Sequence, residues 1–377
     1  MKNIWFCLLK YIVYGYIVKT VKQENENNNR VNMMNEASVD IPSCWMTDLG
    51  KVNSYLETKV RKGRARAAGK SAGGRDIYVY EYGEKEDLPQ TVSFSSAFAA
   101  GKPELYTRAS ERKKLSLFIY GAIHGAEVEG TAGLMNFINL LEYGVDLRGR
   151  KNEELLKLAE NYRIVIVPLA QPDGRVRFRR DSLVGQDLEV YQYYTHGIWK
   201  DGTPCKYPEH KEIMPLPVKE FEQLGAYFND CGVNCQHDDF FGKPQPEVKN
   251  LIRLVHDERP DCILSCHACQ ADPGMGRPAS VLTENGLLME QQIAAAVMSR
   301  QQRAGLHPYH RLNLRQGRAF LLQDILYLAS AGLPLLYEFP HGCTNVPFTH
   351  EEIIDLGLLL FEEIMKFGME TRFKDRF

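Results

Sequence analysis

The chain contains several nearly continuous apolar segments, each about as long as one β-strand. The four clearest are Leu115 to Ala122, Tyr162 to Leu169, Asp261 to Cys266 and Leu333 to Phe339. Strands that are apolar throughout belong in a sheet that is covered on both faces, and helices that alternate with them make the strands mostly parallel. We therefore predict an α/β fold built on a mostly parallel sheet.

Helical periodicity fills the stretches between these strands. A further strand, Asp76 to Tyr80, follows a Gly-rich turn, and a capping box at Thr349 to Glu352 opens a C-terminal helix to about Phe367. The segment from Arg175 to Pro217 is irregular and aromatic, as functional loops of this length usually are. The other predicted helices are Glu129 to Tyr143, Asn152 to Glu160, Val218 to Phe228, Glu247 to Glu258 and Asn285 to Ala304.

The N-terminal residues differ in composition from the rest of the 377-residue chain. Ile4 to Val18 is apolar, but Lys10 interrupts it and it is too short for a membrane span. Gln23 to Asn35 is rich in Asn and Glu, as disordered linkers are. We predict that residues 1–45 are a disordered segment or precede the true start, and that residues 46–377 form one catalytic domain.

The net charge and the cysteine content bear on the partners of the protein and on its cellular compartment. The formal net charge of -2 gives no electrostatic reason to expect nucleic acid or an anionic membrane as a partner. The nine cysteines are odd in number, and Cys262 and Cys266 lie within an apolar segment, which favours a reducing compartment over a disulfide framework. We therefore expect a cytoplasmic protein, while the apolar N-terminal stretch leaves membrane association or export open.

Ionisable side chains stand at the ends of three predicted strands. His124 and Glu127 follow the first strand, His267 ends a second, and Glu338 lies in the last. Open α/β sheets bind ligands at the carboxyl ends of their strands, so these side chains should converge. Two imidazoles and one carboxylate are the protein ligands of a catalytic zinc, with a fourth position left for water. We predict one zinc ion on His124, Glu127 and His267.

Glu338 is a carboxylate inside an apolar strand, where an unpaired charge is costly. Partial desolvation would move its pKa toward neutrality, as a general base for the attacking water requires. A buried ion pair with an arginine is the alternative. Hydrolysis also needs a cation for the developing oxyanion, and we predict that Arg177 or Arg179 supplies it.

Two other metal hypotheses deserve comparison with this site. Cys266 and Cys269 flank His267, and Cys231 and Cys235 lie upstream, so a structural zinc site with cysteine ligands is an alternative to buried free thiols. The segment 237–239, His-Asp-Asp, is compatible with a second metal ion, although a substrate-contacting or capping role fits it better. The aromatic residues of the long loop either line the substrate cleft or pack on one another; they are Tyr191, Tyr193, Tyr194 and Trp199.

These motifs together resemble those of the zinc carboxypeptidase family typified by carboxypeptidase A, over about residues 46–370. The resemblance implies a three-layer α/β/α sandwich with a mixed, mostly parallel sheet, zinc ligands at His124, Glu127 and His267, and a general acid/base at Glu338. The blocks that carry it stand in the family's order: Lys70–Arg75, His124-Gly-x-Glu127, Gln171-Pro-Asp-Gly174, Gly232-Val-Asn, Pro246-Glu247, His267 and Glu338.

The chain departs from that family where a substrate's terminal carboxylate is bound. Gln236 and His237 stand in place of the family's asparagine–arginine pair, and a histidine lacks the bidentate fork of an arginine. No tyrosine occurs in the expected stretch before Glu338, where Arg315 and Arg318 stand instead. We predict that these four residues, Gln236, His237, Arg315 and Arg318, contact the substrate.

The function predicted from these features is zinc-dependent hydrolysis of peptide or amide bonds. The substrate would be a peptide or an acylated amino acid. One alternative is a deacylase that removes an acyl group from an amino acid, since such an enzyme needs the same metal site. Another is a binding module that retains zinc and has no catalytic activity.

Overall fold

The computed structural model describes residues 40–306, 316–374 and 376–377, and the described residues from Ile41 onward form one compact unit. Cys44 and Trp45 are buried in its core, where the carbonyl of Cys44 accepts a hydrogen bond of 2.9 Å from the Asn136 side chain. The packed domain thus includes residues just before the predicted boundary at 46. The predictions for residues 1–39 and for Arg315 lie outside the described residues.

The domain is built on a sheet of seven strands within the described residues, in the order β1-β2-β4-β3-β7-β9-β8. Its four central strands, β4, β3, β7 and β9, run parallel, and the strands at both edges are antiparallel. A separate antiparallel pair joins β5 and β6. The strands are β1 Arg64–Lys70, β2 Asp76–Tyr82, β3 Leu115–Gly121, β4 Tyr162–Val167, β5 Gly197–Trp199, β6 Phe221–Leu224, β7 Cys262–Cys269, β8 Gly274–Met275 and β9 Leu333–Pro340.

Helices connect the strands and cover the sheet. Thr349 and Glu352 form the predicted capping box at the start of the C-terminal helix. The helices of the described residues are α1 Leu49–Thr58, α2 Phe94–Ala99, α3 Glu104–Thr107, α4 Glu129–Tyr143, α5 Glu153–Ala159, α6 Pro172–Arg177, α7 Leu188–Thr195, α8 Pro246–Glu258, α9 Glu284–Arg303, α10 Leu322–Ser330 and α11 His350–Thr371. None of them is long and apolar enough to cross a bilayer.

Alternate side chains of the central strands enter two different cores. Leu117 and Ile119 of β3 belong to the larger core with α4 and α11, whereas Phe118 and Tyr120 belong to a second core with α8 and α10. Because successive side chains of a strand point to opposite faces, helices lie on both sides of the sheet. The predicted fold, a three-layer sandwich with a mixed and mostly parallel sheet, is confirmed.

One local prediction is wrong. The segment from Val218 to Phe228 is not a helix: a 3₁₀ turn, Val218–Glu220, leads directly into β6. Phe221 and Leu224 are buried in a small satellite core, and this packing outweighs the helical spacing of the sequence. The Gln-Pro-Asp-Gly block forms the start of helix α6, where Gln171 caps the helix by accepting from the Gly174 backbone N–H.

Candidate active site

The turn after β3 carries His124 and Glu127 into the interior. Ala122 adopts a left-handed conformation with φ of 51°, which turns the chain away from the strand. Gly125 follows the histidine, and a Cβ atom there would lie 2.2 Å from the backbone nitrogen of Arg175. The glycine therefore allows the start of helix α6 to pack against this turn.

His267 and Glu338 come together through the register of two neighbouring strands. They lie opposite each other in the parallel pair β7 and β9. Directly opposed residues of adjacent strands project to the same face of a sheet. Strand β3, which leads into His124, borders β7 on its other side, so three neighbouring strands supply this group of side chains.

His124, Glu127 and His267 form a compact buried group. The Nδ1 atom of His124 lies 2.8 Å from Glu127 Oε1, and the Nδ1 atom of His267 lies 2.9 Å from Glu127 Oε2. One ligand atom from each of the three residues lies within 4.8 Å of the others. Two imidazole nitrogens and one carboxylate oxygen fit a catalytic zinc ion, which leaves one position open. Within the described part of the chain, no second set of at least three such residues, with cysteines or otherwise, is grouped in this way.

The other nitrogen of His124 is held by a neighbouring side chain. Its Nε2 atom lies 3.0 Å from Asn234 Oδ1, and the ring of Tyr227 stacks on the imidazole with 4.1 Å between ring centroids. An amide oxygen only accepts hydrogen bonds, so Asn234 keeps the proton of His124 on Nε2. The lone pair of Nδ1 is thereby left for a metal ion.

The electrostatic environment shifts the pKa values of Glu127 and Glu338 in opposite directions. Burial raises the pKa of Glu127, but His124 and His267 outweigh it and hold this pKa below its ordinary value. Burial raises the pKa of Glu338 to about 7, although His267 opposes the shift. No arginine among the residues described pairs with Glu338, so the ion-pair alternative has no partner there. The two carboxylates thus have the different environments that a ligand and a base need.

The group opens into a cavity of about 650 Å³. Gln236, His237 and Arg318, three of the predicted substrate contacts, line this cavity together with Glu338. Burial, followed by the charge of Lys211, lowers the pKa of His237 to about 3, so that this imidazole is neutral near pH 7. Asp238, the next residue, accepts hydrogen bonds from the backbone of Asp239 and Gln245 and thereby caps its own loop.

The structure places the two arginines predicted to stabilise the oxyanion outside the cavity lining. Arg177 and Arg179 do not belong to the residues that line the cavity. The guanidinium of Arg177 is held by the Asp230 carboxylate and the Phe228 carbonyl, and Asp230 also pairs with Arg75. Arg179 is exposed. Arg177 therefore stabilises the loop of Phe228 and Asp230, and Arg179 faces solvent.

Several cavity residues escaped the sequence analysis. Tyr227, His196, Lys211, Arg277 and Gln323 all line the cavity. They come from loops and from the start of α10, where no periodicity or spacing marks them. Asn234 had a signal, because it ends the Gly-Val-Asn block. Of the aromatic residues in the long loop, Tyr191 lines the cavity, whereas Trp199 packs on Phe221 with 3.8 Å between ring centroids.

Comparison with known proteins agrees with this geometry. Three solved structures have the same fold at low sequence identity, and a search of curated protein sequences found no match. A metallo-carboxypeptidase from Burkholderia cenocepacia is 13% identical with a TM-score of 0.56, over 85% of this chain and 70% of the other. One from Pseudomonas aeruginosa, in complex with (2-guanidinoethylmercapto)succinic acid, is 15% identical with a TM-score of 0.54, over 85% and 69%. Bovine thrombin-activatable fibrinolysis inhibitor, in complex with tick carboxypeptidase inhibitor, is 12% identical with a TM-score of 0.51, over 87% and 99%.

The family itself is identified by sequence. The model of the zinc carboxypeptidase family matches residues 60–270, which is more than half of the chain. This range includes the turn of His124 and Glu127 and the strand that carries His267. The chain belongs to the zinc carboxypeptidase family.

Proposed function

We propose that this protein is a zinc-dependent hydrolase of amide bonds in peptides. In this proposal His124, Glu127 and His267 hold one zinc ion, and Glu338 is the general base. The observation that carries it is the convergence of a buried two-imidazole, one-carboxylate group with a strand-borne carboxylate at the end of one cavity. Zinc in such a site supplies Lewis acidity for the scissile carbonyl and for the attacking water.

Glu338 performs the proton transfers. Its pKa of about 7 leaves a substantial ionised fraction at neutral pH, so that it can accept a proton from the attacking water. The protonated carboxyl can then donate to the nitrogen of the leaving group. Asn234 keeps the His124 imidazole oriented during these steps through the hydrogen bond to Nε2.

The substrate binds along the rest of the cavity. Gln236, His237 and Arg318 contact it, together with Arg277 and Lys211, which the cavity adds to the predicted set. No carboxylate of the described residues forms an ion pair with Arg277, Arg318 or Lys211. These cations are therefore available for acceptor groups of the substrate, such as the carbonyl groups of a peptide or the carboxylate of an acylated amino acid.

The test compares wild type with Glu338→Gln, both loaded with zinc, on a library of N-acetylated dipeptides analysed by mass spectrometry. Loss of a general base lowers turnover by about a hundred- to ten-thousand-fold. Glu189→Gln, which changes an exposed glutamate of α7 outside the cavity, should retain wild-type turnover. Equal activity of wild type and Glu338→Gln would contradict the mechanism, and no hydrolysis by wild type would favour a binding module.

A second candidate function, removal of an acyl group from an amino acid, is favoured by the exposed Arg277 and Arg318. Acetylated single amino acids included in the same library separate the two functions. A deacylase releases acetate from them, whereas a peptidase leaves them intact and cleaves the dipeptides.

A further inference from the structure

A chain of hydrogen bonds runs from the metal group into the substrate cavity. The Oδ1 atom of Asn234 lies 3.0 Å from His124 Nε2 and also accepts from the Gln236 backbone N–H at 3.0 Å. Gln236 is 4% exposed and lines the cavity. This chain of hydrogen bonds therefore connects the metal group to the amide side chain of Gln236.

The orientation of that amide is fixed at its far end. The Gln236 Nε2 atom donates to Gln323 Oε1 at 2.8 Å, and Gln323 Nε2 donates to the backbone carbonyl of Arg277 at 3.3 Å. A backbone carbonyl can only accept. Rotation of the Gln323 amide by 180° would turn its oxygen toward that carbonyl, so the carbonyl fixes Gln323, and Gln323 in turn fixes Gln236.

This arrangement leaves the Gln236 Oε1 atom as a buried acceptor with no donor among the described residues. Buried polar atoms are almost always hydrogen-bonded, so this oxygen is suited to accept a hydrogen bond from a ligand in the cavity. A carboxylate has only acceptors to offer, and it would oppose the Gln236 oxygen. The adjacent imidazole of His237 adds no charge that would compensate, because burial keeps it neutral.

We propose that Gln236 selects substrates that present a neutral hydrogen-bond donor beside the metal group, rather than a free terminal carboxylate. A C-terminal carboxamide and the next peptide N–H of a longer chain both have this chemistry. The inference rests on the proposed function for the meaning of the site, but it concerns binding and is testable without turnover.

The experiment measures binding to zinc-loaded Glu338→Gln protein by affinity selection and mass spectrometry. The ligands are N-acetyl dipeptides randomised at both positions, prepared once as C-terminal amides and once as free acids. We expect the amides to be retained at least about tenfold better than the matched acids, a difference that corresponds to one hydrogen bond. Equal or better retention of the acids would overturn the proposal. This is the result expected if Lys211, Arg277 or Arg318 binds the terminal carboxylate. Retention of neither set would also overturn it.

Variants of the two glutamines provide the controls. Gln236→Leu, placed in the same Glu338→Gln background, should bring the amide-to-acid ratio close to one because the acceptor is lost. Gln323→Leu leaves Gln236 in place but frees its amide to rotate, so the ratio should fall even if Gln236→Leu fails to fold. Gln270→Leu changes another glutamine of the cavity and should keep the ratio. An unchanged ratio in both test variants would refute the assignment to Gln236.

Turnover of the dipeptides by wild type, measured separately, tests the proposed function. Preferential binding of amides without turnover would support this inference and contradict the proposed function. Turnover combined with equal binding of amides and acids would support the proposed function and contradict this inference.

Discussion

The two ends of the cavity are built in different ways. The metal end stands on neighbouring parallel strands: His124 follows β3, His267 lies in β7 and Glu338 lies in β9. The recognition end stands on loops, on a 3₁₀ turn and on the first turn of a helix; it comprises Gln236, His237, Arg277, Arg318 and Gln323. Backbone register fixes the first end, whereas in the second end hydrogen bonds of the Gln236 and Gln323 side chains hold these two residues in place.

This difference bears on how each end can change. A residue on a buried parallel strand cannot move without disturbing the strands beside it, so the metal end tolerates little variation. Loops accept substitutions more readily, and binding specificity commonly resides in them. The sequence resembles the zinc carboxypeptidase family at the metal end and differs from it at the recognition end, as this argument expects.

The largest expected effect tests the metal end. His267→Ala removes one of three protein ligands, and zinc affinity should fall on the order of a thousandfold, in proportion to the share of one ligand in the free energy of zinc binding. Metal analysis after dialysis should find about one zinc per wild-type chain and almost none in the variant. His256→Ala, which changes an exposed histidine of α8, should keep its zinc.

Full retention of zinc by His267→Ala would break the comparison, because the metal would then have to be bound elsewhere. The cysteines around His267, Cys266 and Cys269, would become the first residues to examine. Burial raises the pKa of both thiols, which makes them poor ligands in the folded chain.

The sequence revealed the metal end because its signal is local. An apolar run followed by a histidine predicts a strand and the side chain at its end, and adjacent parallel strands bring such ends together. The sequence was therefore sufficient to identify all four residues of this end: His124, Glu127, His267 and Glu338. Which strands are neighbours is a matter of long-range pairing, and the order β3-β7-β9 was not predicted.

The recognition end gave weaker signals. Gln236 and His237 were found only because they replace family residues. Gln323 and Arg277 are far from them in sequence. Gln323 accepts one hydrogen bond from Gln236 and donates another to the carbonyl of Arg277, and such single bonds leave no periodic pattern. The position of Arg177 was hard to predict for the same reason: the sequence indicated a cation, but it did not reveal that Asp230 is the partner that holds it.

The next effect tests how the loop that carries Asn234 and Gln236, here called the recognition loop, is supported. Glu247 is 0% exposed and accepts hydrogen bonds from the Ala72 backbone at 3.1 Å and from the Asn229 side chain at 3.4 Å. Asn229 in turn accepts from the backbone N–H groups of Cys231 and Val233, which lead into the recognition loop. A buried carboxylate therefore lies beneath this end of the cavity.

Burial raises the pKa of Glu247 from 4.5 to about 7. The folded state holds this proton more tightly than the unfolded state, so stability from this group is present below about pH 4.5 and is lost as pH rises through 7. The shift corresponds to about 3 kcal/mol. The Gln side chain of Glu247→Gln cannot ionise, so the variant should not lose this stability. In urea melts, the free energy of unfolding of the variant minus that of wild type should therefore increase between pH 5 and about pH 8.

A matched change at an exposed position is the control for this pH dependence. Glu222 is exposed on β6, and Glu222→Gln should follow the wild-type profile across the same range. Parallel profiles for wild type and Glu247→Gln would mean that the carboxylate beneath the loop titrates normally, and the contrast in support between the two ends would weaken.

The smallest expected effect concerns Asn234, the residue that joins the two ends. Its Oδ1 atom lies within hydrogen-bond distance of His124 Nε2 and of the Gln236 backbone nitrogen. Asn234→Ala should lower zinc affinity about ten- to hundredfold, as is usual when the partner of a metal-binding histidine is removed. Because the same oxygen anchors Gln236, the preference for amides over acids should fall in the same variant. Asn234→Asp keeps the acceptor and should retain zinc affinity, which competition with a chelating dye would measure. If Asn234→Ala changed neither property, the two ends would be independent, and the strand-borne metal group would need no support from the loop beside it.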